Sequence, residues 1–344
     1  MGDPAGIGPA IIPKAIKKLK GLADFVIIGD KWVFDQVSGI RYQVSGMKFI
    51  DLNNVSHKNF KFGKVKAEYG RASVEYLDKA IELIKNKEID CLVTCPISKE
   101  AINLAGFKGF SGHTEYLAQV TKAKYFAMML LNKKLRFSLV TRHIPLKDVP
   151  AQLEPDKIYK TVLLTYRSLK ELFLIKNPRI VVCGLNPHAS DNGLLGEEEN
   201  KIIKPALMRL GESIRNIDGP LAADIAVLKA AQKKYDCIIA MYHDQALIPL
   251  KISGAAYTGV NLTLGLRFIR TSPLHGTAFD IAAKFNTPRP KTAPFRARIS
   301  CGRLSIPPLR TPGFIAGGLH LANATSLIEA IRLAVKCQLN QKKG

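Results

Sequence analysis

Residues 71–94 read RASVEYLDKAIELIKNKEIDCLVT, a helical pattern followed at once by a strand pattern, and this pair indicates the fold class. In 71–88, apolar residues recur at helical spacing while mixed charges occupy the other face. Residues 89–94 are apolar and rich in β-forming side chains. Another strand is predicted at 24–29, and further helices at 154–173, 197–213, 222–234 and 325–338. This alternation predicts an α/β fold with a mostly parallel sheet covered on both faces.

Two stretches interrupt the alternation. GDPAGIGP at 2–9 is a glycine-rich turn leading into a helix, with no strand pattern ahead of it. We therefore expect either that the chain starts further upstream or that a strand is missing. Residues 286–316 contain six prolines, six basic residues and no acidic residue. Because prolines prevent helices and strands from continuing, this stretch is predicted to be an irregular insertion.

Length and composition indicate a large globular protein. A chain of 344 residues with 47% hydrophobic content can bury a sizeable core and suggests two domains. Long apolar runs and a signal-peptide pattern are both missing, so we expect a cytoplasmic protein without a membrane partner. The cysteines, at positions 91, 95, 183, 237, 301 and 337, are scattered through apolar patterns. Reduced thiols in a reducing compartment fit that distribution.

The net charge of +23 is the unusual bulk property, since it suggests nucleic acid or another anionic partner. The lysines and arginines are spread over many predicted helices, however, and we find no zinc-finger, basic-zipper or RNA-recognition motif. A basic surface that attracts phosphorylated metabolites, or a general bias towards lysine, explains the charge as well. We expect no nucleic-acid partner, and nucleic-acid binding stays an alternative suggested by the charge alone.

Three histidines, His143, His188 and His243, each follow a strand-like run, namely RFSLV, RIVVCGL and DCIIAMY. Open α/β sheets place ligands beyond their strand ends, where side chains are held rigidly and remain accessible. Three neutral imidazoles there can hold a divalent metal and leave a position free for substrate. Any one of them alone would be assigned to a turn or the interior. All three at strand ends predict a metal site.

Six motifs, in order along the chain, resemble those of one enzyme family. They are GDPAGIGP at 2–9, TCPISKEAI at 94–102, GFSGHTEYLA at 109–118, GLNPHASDNGLLGEEE at 184–199, MYHDQALIPLK at 241–251 and GVNLTLGLRFIRTSPLHGTAFDIA at 259–282. This set resembles the PdxA family, the 4-hydroxythreonine-4-phosphate dehydrogenases of vitamin B6 biosynthesis.

The resemblance implies an architecture of two α/β/α domains, similar to isocitrate and isopropylmalate dehydrogenases, with the active site in the interdomain cleft. We expect the first domain at 1–130 plus 275–344, with the irregular insertion at 286–316, and the second at 131–274. The resemblance also implies a homodimer in which both subunits complete each site. GDPAGIGP is then no dinucleotide fingerprint, and its glycine spacing does not fit one.

The resemblance also implies a reaction. NAD, or NADP, would oxidise the C3 hydroxyl of 4-phosphohydroxy-L-threonine, and decarboxylation would give 3-amino-2-oxopropyl phosphate. A divalent zinc, magnesium, manganese or cobalt ion would lower the pKa of that hydroxyl. The residues matching the family are the metal ligands His143, His188 and His243, the substrate contacts His113, Thr114, Lys251, Asn261 and Arg270, and the cofactor loop His275, Gly276 and Thr277.

Four residues are expected to carry catalysis, namely His188, Asp224, Asp244 and Lys251. The two aspartates can orient a metal-bound histidine or accept a proton, or they simply cap helices. Cationic groups such as Lys251 and Arg270 suit phosphate and carboxylate, although solvated surface charges are the common case.

The chain also departs from the family pattern. Ala10 stands in place of a glutamate, Leu274 in place of an acidic residue, and Ser-Asp-Asn at 190–192 in place of Gly-Glu-Gly. Because serine and asparagine cannot take every glycine conformation, the loop around His188 is expected to differ. Two alternatives remain open. One is a dehydrogenase of another phosphorylated four-carbon acid, such as erythronate or threonate 4-phosphate, and the other is an inactive relative that keeps the metal site.

Overall fold

Strands and helices alternate through the computed structural model, which describes residues 1–38, 47–211, 214–286 and 321–343. The strands are β1 (Phe25–Gly29), β2 (Met47–Asp51), β3 (Cys91–Val93), β4 (Ala127–Leu131), β5 (Arg136–Leu139), β6 (Ile180–Cys183), β7 (Ile217–Leu221), β8 (Cys237–Ala240), β9 (Val260–Leu264) and β10 (Ile269–Pro273).

The α-helices are α1 (Gly8–Lys18), α2 (Lys31–Ser38), α3 (Ala67–Lys85), α4 (Lys99–Leu104), α5 (His113–Val120), α6 (Val149–Gln152), α7 (Pro155–Glu171), α8 (Lys204–Gly211), α9 (Ala223–Ala231), α10 (His243–Leu250), α11 (Ala256–Thr258), α12 (Phe279–Ala282) and α13 (Thr325–Gln341). Single π-helical turns span Glu199–Ile203 and Lys251–Ala255, and 3-10 turns span Leu146–Asp148 and Ala283–Asn286. The predicted helices are confirmed as α3, α7, α8, α9 and α13, with ends shifted by a few residues.

One mixed sheet contains eight of the described strands in the order β3-β10-β9-β4-β5-β8-β6-β7. Its outer ladders are parallel, whereas the ladders that join β10, β9, β4 and β5 are antiparallel. The predicted α/β class is confirmed, but the antiparallel centre was not predicted. Two of its three ladders result from tight turns: the Asn132 side chain accepts the amides of Lys134 and Leu135, and Gly265 takes a positive φ of 89°. The third ladder pairs β4 with β9, which is distant in the sequence.

Helices cover both faces of this sheet. Ile180 and Val182 of β6 pack with the α7 residues Ile158 and Val162 in one core, while Val181 faces α9 and α10 in another. Strand residues alternate between the two faces, so a strand buried on both sides reads as a continuous apolar run. This packing fixes the carboxyl ends of the strands, from which the site loops start.

A separate two-stranded sheet pairs β1 with β2 in parallel. A cavity of about 540 Å³ lies between β1 and β3 and is lined by apolar residues of both strands. Residues 1–3 bridge its end, because the Met1 amine donates to the Ile28 carbonyl at 2.8 Å and the Asp3 amide donates to the Pro96 carbonyl at 2.9 Å.

The proposed division into two domains stays a prediction. The eight-stranded sheet takes β3 and β4 from the first expected unit and β5 to β10 from the second. The predicted insertion at 286–316 lies, apart from Asn286, outside the described residues. Among the described helices, none is long and apolar enough to span a bilayer.

Candidate active site

Arg270, on β10, the strand next to the edge strand β3, is buried with 2% of its surface exposed. Its guanidinium donates to the hydroxyl of Thr94 at 2.6 Å, of Thr263 at 3.1 Å and of Thr114 at 3.4 Å. We call these four residues the Arg270 cluster. Among the described residues, no carboxylate accepts a hydrogen bond from Arg270, and its Nε–H has no partner. A buried cation with a free donor is a site for an anion.

His113 begins α5 beside this cluster. Burial, together with the charge of Arg270, holds the pKa of His113 well below its ordinary value, so the ring is neutral. Burial also lowers the pKa of Arg270, to about 10, which still leaves the guanidinium charged at neutral pH. The substrate contacts predicted at His113, Thr114 and Arg270 therefore come together, from α5 and β10.

Two of the three predicted metal ligands also come together. His143 follows β5 and His243 follows β8, and their ring centroids are 5.3 Å apart. The Nδ1 atom of His243 lies 2.6 Å from an Asp244 oxygen. With the Nδ1 proton donated to that carboxylate, Nε2 is free to bind a metal. Burial and the charge of Lys99 lower the pKa of His143 and favour its neutral form, which is the form that binds metal.

His188 follows β6 in the segment Pro187–Gly193, which we call the His188 loop. Its side chain is 72% exposed, and its Nδ1 lies 3.0 Å from an Asp191 oxygen. Residues 188–192 all have a positive φ, between 42° and 71°. The left-handed conformation costs non-glycine residues about 1–2 kcal/mol each. Ser-Asp-Asn at 190–192 thus adopts backbone angles that favour glycine.

The base of the His188 loop is fixed by two buried side chains. Glu199 accepts the amides of Leu185 and Asn186, both at 2.8 Å, and is fully buried. Gln245 donates to the Gly184 carbonyl at 2.8 Å, which ties this loop to the start of α10. Sequence reasoning did not single out Glu199, although a carboxylate inside GLLGEEE fifteen residues after a strand-end glycine was the available signal.

The three histidines follow β5, β8 and β6, which are adjacent and mutually parallel, so all three leave the same edge of the sheet. Two of the imidazoles are in contact, and the third follows the neighbouring strand. Imidazole nitrogens are donor atoms that divalent cations bind. Within one chain, however, the described residues include no group of three His, Cys, Asp or Glu side chains close enough to hold a metal. The membership of His188 in the metal site stays a prediction.

Helix α5 connects the histidine pair to the Arg270 cluster. Thr114 faces Arg270, and one residue later Glu115 forms an ion pair with Arg142 at 3.2 Å, next to His143. A cavity of about 230 Å³ opens here, lined by Lys99, Ser111 and Lys157 as well as His143. The Arg270 cluster and the histidine pair therefore lie on either side of the first turn of α5.

The other predicted residues are more dispersed. Lys251 is exposed at the start of a π-helical turn, and Asp224 is exposed in the first turn of α9, one residue beyond its start. Asn261 lies on β9 with its Oδ1 atom buried and without a partner among the described residues. No described contact joins Lys251 or Asp224 to the histidine pair, so their catalytic roles stay predictions.

The predicted cofactor loop packs against the first motif of the chain. The amide of Ile7 donates to the Thr277 carbonyl at 3.0 Å, and a side chain at Gly6 would meet Thr277 at 3.2 Å. His275 has a buried Nε2 atom without a partner, and burial lowers its pKa. Gly276 beside it is exposed. Sequence reasoning did not predict that GDPAGIGP touches this loop.

Comparisons with known proteins agree with these motifs. The family described as pyridoxal phosphate biosynthetic protein PdxA matches residues 19–291. A 4-hydroxythreonine-4-phosphate dehydrogenase from a Sulfurihydrogenibium species is 45% identical over 296 residues, which cover 83% of this chain and 91% of the relative. A D-threonate 4-phosphate dehydrogenase from Cupriavidus necator is 39% identical over 304 residues, covering 83% and 90%.

The fold agrees as well. The solved structure of 4-hydroxythreonine-4-phosphate dehydrogenase from Klebsiella pneumoniae is 31% identical and superposes with a TM-score of 0.75, covering 98% of this chain and 96% of that one. The sequence motifs, the strand-end histidines and the buried anion site are thus found on a fold shared with these enzymes. The chain belongs to the PdxA family.

Proposed function

We propose that this chain oxidises the C3 hydroxyl of 4-phosphohydroxy-L-threonine with NAD or NADP and a divalent metal, as a cytoplasmic enzyme of vitamin B6 biosynthesis. The observation that carries the proposal is the Arg270 cluster, a buried cation without a carboxylate partner among the described residues, linked through Thr114 and Glu115 of α5 to Arg142, which precedes His143 of the histidine pair. An anionic substrate held at the first site would extend its reacting carbons towards the second.

The roles follow from these positions. Arg270 binds an anionic end of the substrate, and Thr114 and neutral His113 flank it. Asp244 and Asp191 orient His243 and His188 through their Nδ1 atoms. When bound, a divalent cation would lower the pKa of the C3 hydroxyl, and the nicotinamide would accept the hydride from C3. The resulting ketone is β to the carboxylate, so the C1–C2 bond breaks with release of carbon dioxide.

A second candidate substrate is D-threonate 4-phosphate, because a relative bearing that activity in its name is 39% identical to this chain. It carries a hydroxyl where 4-phosphohydroxy-L-threonine carries an amino group at C2. The two substrates share the phosphate, the carboxylate and the C3 hydroxyl, so Arg270 and the histidine pair would serve either one.

We also propose a homodimer. Ile248, Ile252 and Tyr257 follow β8 on consecutive helical segments and are 60%, 82% and 68% exposed. Large exposed apolar side chains on neighbouring segments are typical of a surface that binds protein. Lys251 lies within this stretch. A second copy that covers this surface would therefore bury Lys251 at an active site completed by both subunits. Multi-angle light scattering should give a dimer mass, and Ile252→Asp should give a monomer.

The experiment that tests the function follows NADH formation by absorbance with each phosphorylated acid, before and after removal of divalent metal. We expect metal-dependent turnover that is lost in His243→Ala and retained in His57→Ala. His57 is the matched control because it stacks on Trp32, with ring centroids 4.1 Å apart, and contacts no site residue in the described chain. Faster turnover of D-threonate 4-phosphate would select the second substrate. No turnover of any such acid by folded, metal-loaded protein would reject the proposal.

A further inference from the structure

In the part of the chain that the structure describes, Arg270 has three acceptors, all of them threonine hydroxyls. Two of these residues, Thr94 and Thr263, match no predicted site residue. Both are buried, with 6% and 3% of their surface exposed. Buried arginines are usually neutralised by carboxylates, because an unpaired charge is expensive to desolvate. Here the described residues supply neutral oxygen atoms only.

The backbone holds both threonines firmly. Thr263 lies on β9 directly opposite Arg270 in the antiparallel ladder. Thr94 follows β3, and its amide donates to the carbonyl of Thr271, the residue after Arg270, at 3.1 Å. The two hydroxyls therefore contact different terminal nitrogens of the guanidinium, Thr94 at Nη2 and Thr263 at Nη1. Two fixed acceptors, one on β9 and one directly after β3, define the plane of the guanidinium.

The carboxylate of Glu115 does not neutralise this guanidinium. Glu115 is the carboxylate that influences the pKa of Arg270, and it is engaged by Arg142 at 3.2 Å. The Nε–H of Arg270 is buried and free of any partner among the described residues. A hydroxyl orients a guanidinium without cancelling its charge, so the full positive charge remains for an incoming anion.

We infer that Thr94 and Thr263 are positioning residues, which hold the Arg270 guanidinium in place for the anionic group of the substrate while leaving its charge unneutralised. The identity of the anion as substrate rests on the proposed function. The positioning itself does not, because inorganic phosphate can report it without turnover.

The test measures the dissociation constant of inorganic phosphate by calorimetry, with acetate as a second probe that distinguishes a phosphate from a carboxylate site. Thr94→Val and Thr263→Val should each weaken phosphate binding about tenfold, because one oriented charge-assisted contact is lost. Thr94→Ser and Thr263→Ser, which keep the hydroxyl, should restore it. In turnover, the valine variants should raise KM more than they lower kcat.

The matched control is Thr271→Val. Thr271 is the next residue on β10 and equally buried, but its hydroxyl donates to the Ala330 carbonyl of α13 at 2.8 Å. Its variant should lose stability as the others do and keep phosphate affinity. If all three valine variants lose phosphate affinity equally, the effect is general loosening of the sheet and the inference is wrong.

A last variant tests whether phosphate binding needs the unneutralised charge of Arg270 or only the contact at its Nη2 atom. Thr94→Asp places a carboxylate where the hydroxyl contacts Nη2, so a purely structural role predicts an intact or tighter contact and unchanged phosphate binding. The inference predicts a folded protein that no longer binds phosphate. If phosphate binding follows this pattern while no phosphorylated acid is oxidised, the proposed function fails and the positioning role stands.

Discussion

The Arg270 cluster and the His188 loop are the two parts of the candidate site, and they are held in opposite ways. The cluster is built from residues on, or directly after, strands and a helix, and all four are nearly fully buried. The loop extends from a strand end with its histidine 72% exposed and five successive residues in left-handed conformation. The Arg270 cluster is thus held by contacts within one chain, whereas the third histidine depends on a strained and exposed segment. This difference suggests that substrate binding and metal binding can be disrupted separately.

The largest expected effect is that of Arg270→Met, which should impair substrate binding without lowering stability. Removing the guanidinium should lower kcat/KM at least about a hundredfold, because an oriented charge-assisted contact to the substrate is lost. Stability should be unchanged or higher, since a buried charge without a carboxylate partner is replaced by an apolar chain. Steady-state kinetics and thermal melts measure both.

Arg270→Lys is the companion variant, because it keeps the charge but not the fork. Activity that stays low in the lysine variant points to geometry as well as charge. A strong loss of stability in Arg270→Met would mean that the guanidinium stabilises the fold, which contradicts its assignment to substrate binding.

The sequence predicts part of this difference between the Arg270 cluster and the histidine site, but not all of it. Histidines after strand-like runs were sufficient to place His143 and His243 together, because adjacent parallel strands end at one edge. Pairing between distant segments cannot be read from local pattern, so Thr94 and Thr263 around Arg270 went unpredicted. The antiparallel centre depends on the turns at 132–135 and 265–268, whose short polar patterns are weaker signals than the long amphipathic helices.

The second prediction concerns the base of the His188 loop. Glu199→Ala leaves the buried amides of Leu185 and Asn186 without their acceptor, which should cost about 3 kcal/mol of stability. It should also weaken zinc binding about tenfold, because the loop carrying His188 loses its anchor. Calorimetry with zinc and chemical denaturation provide the two readouts.

Glu198→Ala is the control for that change. Glu198 is only partly buried, and its carboxylate accepts a hydrogen bond from the side chain of Asn186 but none from the amides of Leu185 and Asn186 that Glu199 binds. We expect it to alter stability by less than about 1 kcal/mol. Equal losses in the two variants would show that Glu199 has no special anchoring role.

The third prediction concerns the effect of pH on the buried carboxyl group of Asp3, in the first motif of the chain. Burial raises the pKa of Asp3 from 3.8 to about 7. Because the folded state holds this proton more tightly, its contribution to stability is fully present below the unfolded pKa and is lost as pH rises through about 7. Asp3→Asn keeps the acceptor for the Ala5 amide and cannot ionise. It should therefore nearly equal wild type near pH 4 and exceed it by on the order of 4 kcal/mol at pH 8.

Denaturation curves at several pH values measure that difference. A variant whose advantage is constant from pH 4 to pH 8 would show that ionisation of Asp3 is not the cause. Since Asp3 lies in the turn that packs against the predicted cofactor loop, NAD affinity measured over the same pH range would show whether its charge affects that loop.

The smallest effect should come from the strained loop. Ala189 has φ 54° and ψ 46° and no side-chain hydrogen bond, so Ala189→Gly removes a steric cost and little else. We expect about 1 kcal/mol of added stability, whereas Ala231→Gly, at an exposed helical position on α9, should lose about 0.5 kcal/mol. Zinc affinity decides what the strain does. If it falls while stability rises, the left-handed run holds His188 in its binding position; if it does not change, the strain is incidental to the metal site.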